Sequence, residues 1–157
     1  MRTAVLTLFF ILPFVFSCRD NPAPGPAEMY YGEDVCERCK MIISEEQYAA
    51  QYTLPGGASK KFDDLGCMIH YTSEGKGGEK EREGITAYYV KDYLSGEWLD
   101  GRSAYYVWSG NIKTPMGHGI VALKDEQAAR ELAARENGKF LGGFKEASES
   151  VHTGTGE

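Results

Sequence analysis

Sulfur and imidazole gather in three short segments of this 157-residue chain: C-E-R-C-K-M at 36–41, C-M-I-H at 67–70 and T-P-M-G-H-G at 114–119. Two thiols spaced C-x-x-C serve thioredoxin-type redox couples, zinc ribbons and copper carriers alike, so Cys36 and Cys39 alone leave three chemistries open. The thioethers lean the inventory toward copper. Thiolate and thioether sulfur are soft donors that prefer Cu(I), whereas zinc takes cysteine and histidine and has little use for methionine. Met41 lies two residues past Cys39, so in an extended segment the two side chains share a face. As an isolated methionine it would instead start the apolar Met41-Ile42-Ile43 run in the core. Met116 and His118 lie in a loop between glycines and a proline, where a large apolar side chain has no periodic packing reason. Their i, i+2 spacing can aim sulfur and imidazole the same way. Cys67 and Met68, adjacent on a helix, point about 100° apart, so at most one faces a shared site, and packing and ligation are balanced for both. His70 reads as surface or structural rather than as a ligand.

Other chemistries have thin support. Asp63-Asp64 could act as a carboxylate pair, but helix capping accounts for it. The sequence holds no phosphate-cradling glycine loop, no G-x-S-x-G elbow and no H-E-x-x-H motif.

The N-terminus has the pattern of an export signal. Arg2 precedes an apolar run at 4–16 that is short for a bilayer span but suits a signal-peptide core. Val15-Phe16-Ser17-Cys18 then resembles a bacterial lipoprotein cleavage box, with Cys18 as the lipidated residue. Cleavage by an ordinary signal peptidase would leave Cys18 a plain thiol. With Cys18 lipidated, Cys36, Cys39 and Cys67 remain, and an odd number cannot all pair within one chain, so at least one thiol stays free or metal-bound. Removing residues 1–17 leaves 16 basic and 23 acidic residues, a balance that argues against nucleic-acid binding.

Elements that would position these groups follow from periodicity. Loose alternation at 48–54, the Pro55-Gly56-Gly57 turn and residues 59–62 predict a hairpin. Asp63 or Asp64 caps a helix carrying Leu65, Met68, Ile69 and Thr72, which ends near 75–78. Residues 85–90 read as a strand. The second half repeats the order: a strand at 103–108, a strand at 119–123, a helix at 126–136 capped by Asp125, and a short strand at 139–141. Tyr88, Tyr89, Tyr105, Tyr106 and Trp108 fit the sheet core, and Trp98 lies near a turn. The expected fold is α+β, two ββαβ units with small mixed or antiparallel sheets and two helices. The expected organisation is a signal peptide at 1–17, a lipidated cysteine with a Pro/Gly tether at 18–32, a metal-binding domain at 33–144, and a polar, disordered tail at 145–157.

The combination of a lipoprotein-like start, CERCKMII followed by YAAQY, then KFDDLGCMIHY, and later KTPMGHGIVAL resembles the NosL family of copper lipoproteins over about residues 35–123. The resemblance implies the two-unit ββαβ architecture and a role without catalysis: an extracytoplasmic, membrane-anchored Cu(I) metallochaperone that supplies the copper-sulfur cluster of nitrous oxide reductase in denitrification. Its expected partners are the copper ion, nitrous oxide reductase or its assembly machinery, and a membrane reached through lipid on Cys18. Carried over by motif, the ligand candidates are Cys39 with Met41, and Met116, with Cys36 a further candidate. His118 rests more on local chemistry, and the role of Cys67 stays open. Two other readings compete: an extracytoplasmic thiol-disulfide protein using Cys36 and Cys39, and a zinc-stabilised domain using Cys36, Cys39, Cys67 and a histidine.

Overall fold

The computed structural model describes residues 25–152, so the predicted signal peptide, Cys18 and the last five residues lie outside the described part. Strands β1 (Ala50–Thr53) and β2 (Ser59–Phe62) form the expected hairpin, and β3 (Ala87–Lys91) and β4 (Trp98–Asp100) complete a four-stranded sheet of order β2-β1-β3-β4. All its pairings are antiparallel, with Ala50 opposite both Phe62 and Val90. A second, three-stranded sheet has the order β6-β5-β7, from β5 (Tyr105–Trp108), β6 (Ile120–Leu123) and β7 (Lys139–Gly142). Its pairings are antiparallel too, with a register shift between Tyr106 and Val107.

Helix α1 (Leu65–Ser73) follows the first hairpin and α3 (Glu126–Arg135) follows the second. Each begins at an aspartate whose side chain accepts an amide three residues on: Asp64 from Cys67 and Asp125 from Ala128. In both units the first strand is central, flanked by the second and by the strand after the helix. The expected α+β fold of two ββαβ units is therefore present, with wholly antiparallel sheets.

Three elements escape the hydrophobic period. Helix α2 (Glu79–Gly84) is built from charged residues and carries no apolar stripe; Tyr52 donates to Glu81 in it at 2.5 Å. Strand β4 is only three residues long and pairs Val90 with Leu99 at the sheet edge. The expectation of a disordered tail from 145 fails over helix α4 (Phe144–His152). Its polar residues hide a narrow apolar stripe of Phe144, Ala147 and Val151. Ala147 is fully buried, and the Phe144 ring lies 4.6 Å from Tyr88 and 6.0 Å from Tyr106. The described part thus has four helices rather than two. The expected tether is likewise docked by its last residues. Gln51, fully buried on β1, bonds both backbone groups of Ala27 at 3.0 Å, and Met29 and Tyr31 pack on the core.

The largest core draws on both units, joining Tyr52, Phe62, Met68 and Ile69 to Tyr106, Ile120 and Ala147. A second cluster lies between α3 and its sheet, around Val107, Leu123 and Leu132. The sheets meet where Asp92 bridges to Ala122 and accepts the Lys124 amide at 2.8 Å. This packing sets the N-terminus of α1 against the loop that follows β5.

Candidate metal centre

The C-x-x-C segment is the tip of a small hairpin. Val35 bridges to Ile42, the Cys36 amide donates to the Met41 carbonyl at 2.8 Å, and the Lys40 amide donates to the Cys36 carbonyl at 3.0 Å. Closing this turn puts Lys40 in the left-handed region, φ +65°. The segment is therefore not extended at Lys40, and the i, i+2 argument that aimed Cys39 and Met41 together does not apply. Cys36 is fully buried and Cys39 half-buried, while Met41 is 57% exposed. The Glu37 amide bonds the Lys61 carbonyl at 2.9 Å, which fixes the tip on β2.

Helix α1 brings the third thiol to the same place. Donor atoms of Cys36, Cys39, Cys67 and Asp63 lie within 4.8 Å of one another, and all three cysteines are free thiols. Their protons are unequally held. The neighbouring Cys67 thiol pulls Cys36 down to about 6 against the cost of burial, helped by the Cys39 and Asp63 amides. Burial pushes Cys39 up to about 11, with Cys36 and the Asp63 carboxylate adding to the effect although the Met41 amide opposes it. Cys67 is pushed well up by Cys36, burial and the two aspartates. Of the three thiols, Cys36 is thus the one drawn toward the thiolate form, while Cys39 and Cys67 are pushed away from it. Cys39 Sγ lies 3.3 Å from Asp63 Oδ2 as donor.

Asp64 ties this cluster to the second unit. Fully buried, it accepts the Cys67 amide at 2.8 Å, the Thr114 hydroxyl at 2.9 Å and the Met116 amide at 3.2 Å, and pairs with His118 Nδ1 at 3.0 Å. Burial alone would push this carboxyl up, but His118, the Cys67 amide and Thr114 hold it below the usual carboxylate range. The T-P-M-G-H-G loop folds around this anion, with Gly117 (φ +74°) and Gly119 (φ +65°) supplying left-handed turns. A turn at Gly117 replaces the extended path assumed for Met116 and His118, and it is Asp64 that orients the imidazole.

The six sequence candidates therefore separate. Cys36, Cys39 and Cys67 converge; His118 forms a second group with Asp64 and Cys67 within 4.8 Å. Met116 sits half-buried beside it, and Met41 stands at the surface. Of the balanced pair on α1, Cys67 joins the cluster and Met68 is fully buried in the core. His70 sits 3.5 Å from Glu74 and its ring centroid is 5.1 Å from that of His118. Sequence reasoning missed Asp63 and the larger role of Asp64. The signal available was two consecutive aspartates where one suffices for a cap.

Gly66 permits the close approach of α1 to this loop, since a Cβ there would run into the His118 ring. Gly66→Ala is expected to destabilise the protein by about 1–3 kcal/mol by overpacking, despite the roughly 1 kcal/mol by which alanine favours a helix. Thermal denaturation with observation of the His118 ring resonances checks this; unchanged stability with an unmoved ring would contradict it.

Relatives bear on this arrangement. The copper-binding lipoprotein NosL of Stutzerimonas stutzeri is 26% identical over 120 residues, covering 71% of this chain. The chain spans 61% of that relative's length. The crystal structure of the copper chaperone NosL from Shewanella denitrificans superposes with a TM-score of 0.61 at 19% identity, covering 74% of this chain and 91% of that one, which shows a shared fold. Neither name is that of an enzyme, in agreement with the expected role without catalysis. The NosL family model matches residues 28–151, nearly the whole described part: the chain belongs to the NosL family.

Proposed function

We propose that this protein is an extracytoplasmic, membrane-anchored Cu(I) metallochaperone that delivers copper for assembly of the copper-sulfur cluster of nitrous oxide reductase. The observation that carries the reading is the convergence of three free thiols inside one small site. Thiolates are the preferred donors of Cu(I), and the relatives named as copper-binding proteins share the family and the fold. Delivery to nitrous oxide reductase and anchoring through Cys18 follow from the family resemblance and the lipoprotein-like start.

In this account copper is cargo. Each cysteine binds Cu(I) as a thiolate, so loading the site releases thiol protons to solvent. Cys39, half-buried, is the most accessible of the three thiols and gives a partner's ligands a place to replace the resident ones one at a time. His118 with its Nδ1 on Asp64 leaves Nε2 as the ring atom suited to a metal. Replacing Met41 and Met116 together with leucine is expected to lower Cu(I) affinity about tenfold and leave the fold intact, measured by anaerobic chelator competition. Unchanged affinity would remove methionine from the ligand set.

One observation favours a second reading. Asp63 gives the thiol cluster an oxygen donor, and three thiolates with one carboxylate make a four-donor set that suits Zn(II). Anaerobic titration with each metal separates the two: tighter Zn(II) binding accompanied by fold stabilisation would replace the copper reading.

A further inference from the structure

Among the described residues, the two buried polar side-chain atoms without a hydrogen-bond partner are Arg38 Nε and Asp63 Oδ1. Both belong to groups at the thiol cluster, and the groups carry opposite charge. Arg38 sits inside the C-x-x-C turn; its Nη2 donates to Glu74 at 2.8 Å and its guanidinium interacts electrostatically with Cys67. Asp63 is 3% exposed, and its other oxygen accepts from Cys39 at 3.3 Å. Asp64 next door has its charge met by the donors already described; Asp63 has one thiol.

Metal loading changes the charge between these two groups. Cu(I) held by two thiolates is an anion of charge −1, and by three an anion of charge −2, formed in a largely buried site. A buried anion is costly unless a cation lies beside it, and a neighbouring carboxylate adds to the cost. Cu(I) is soft and gains little from a carboxylate oxygen, so Asp63 acts on it as a charge rather than as a donor.

We propose that Arg38 and Asp63 set the Cu(I) affinity of the thiol cluster with opposite signs, the guanidinium as counter-charge to the copper-thiolate anion and the buried carboxylate as an opposing charge that eases release. This deepens the Cu(I) reading and rests on it. Both are positioning residues in the electrostatic sense and neither is a ligand.

The test is anaerobic competition of the reduced protein with a chromophoric Cu(I) chelator at fixed pH and ionic strength. Arg38→Gln is expected to weaken Cu(I) binding about tenfold, while Arg38→Lys retains most of it. Asp63→Asn is expected to tighten binding about tenfold and to slow release to the chelator. Glu74→Gln keeps the cation but removes its ion pair with α1, and is expected to stay within about twofold of wild type. If Glu74→Gln loses as much as Arg38→Gln, the arginine is a strut and the proposal falls. Unchanged or weaker binding in Asp63→Asn also overturns it. Should Arg38→Gln not fold, the asparagine variant decides, because misfolding cannot produce tighter binding. Wild-type protein that binds no Cu(I) overturns the copper reading and this inference together; a binding wild type with indifferent variants overturns only the inference.

Discussion

Asp64→Ala is expected to lower the unfolding free energy by about 3–5 kcal/mol, the cost of breaking a buried ionic pair, and to lower Tm by on the order of 10 °C. One carboxylate serves as helix cap, as partner of an imidazole and as acceptor for the loop at 114–119, so its removal orphans donors from both units at once. Thr114 is buried, at 7% exposure, so water has little access to replace the lost acceptor. The carboxyl is held below the usual range in the folded protein, so its contribution is fully present above the unfolded value of about 3.9. It is lost as pH falls through the depressed folded value. Wild type should therefore lose stability on the acid side, and Asp64→Ala should show a shallower acid limb. Urea denaturation across that range reads both effects; an alanine variant as stable as wild type would mean that the loop and α1 are held together elsewhere.

Replacing Cys36 and Cys39 together with serine is expected to weaken Cu(I) binding on the order of a thousandfold, because hard hydroxyl oxygen does not replace thiolate on a soft ion. Cys36 should carry the larger share. It is fully buried and its thiol is drawn down to about 6, whereas that of Cys39 is pushed up to about 11. Cys36 is thus the thiol drawn most strongly toward its ionised form. Burying a hydroxyl at position 36 also costs about 1–3 kcal/mol of stability, so affinity is to be read on protein shown to be folded. Cys67→Ser separates the coordination numbers. A loss as large as that of Cys36→Ser indicates three thiolates on the ion, and a small loss indicates two with Cys67 as supporting donor.

Much of the fold was legible because its elements follow local rules. The β1-β2 hairpin is announced by Pro55-Gly56-Gly57, and α1 and α3 by an aspartate ahead of an apolar period. The shared order of elements anticipated the shared topology, in which the first strand of each unit is central. Helix α4 was not legible because three apolar residues among charged and hydroxyl ones read as solvent-exposed chain until the Tyr88 and Tyr106 surface that receives Phe144 is known. At the candidate site, residue types were readable and directions were not. Lys40 adopts a left-handed turn that glycine usually marks, so an extended path through Met41 was the natural assumption. The meeting of Asp64 with Thr114 and His118 spans 50 residues or more, and no local signal encodes it.

The two halves of the duplication have diverged in chemistry. The first unit supplies the thiols and both aspartates, and the second supplies the loop with its thioether and imidazole. Both converge at the N-terminus of α1, whose helix dipole favours the anionic groups placed there. The corresponding end of α3, capped by Asp125, carries Glu126, Gln127 and Ala128. The site therefore belongs to the contact between units rather than to either alone. Loss of fold at Asp64 should disable copper binding even though Asp64 need not touch the ion.

The central claim is that the thiol cluster prefers Cu(I). The most direct test is a competition titration of the reduced, full chain with Cu(I) in the presence of excess Zn(II), under anaerobic conditions, following metal occupancy of the protein. The account predicts that Cu(I) loads fully and displaces Zn(II), with occupancy lost in the Cys36→Ser, Cys39→Ser variant. Retention of Zn(II) against Cu(I), or Cu(I) loading that is indifferent to those two substitutions, would contradict it.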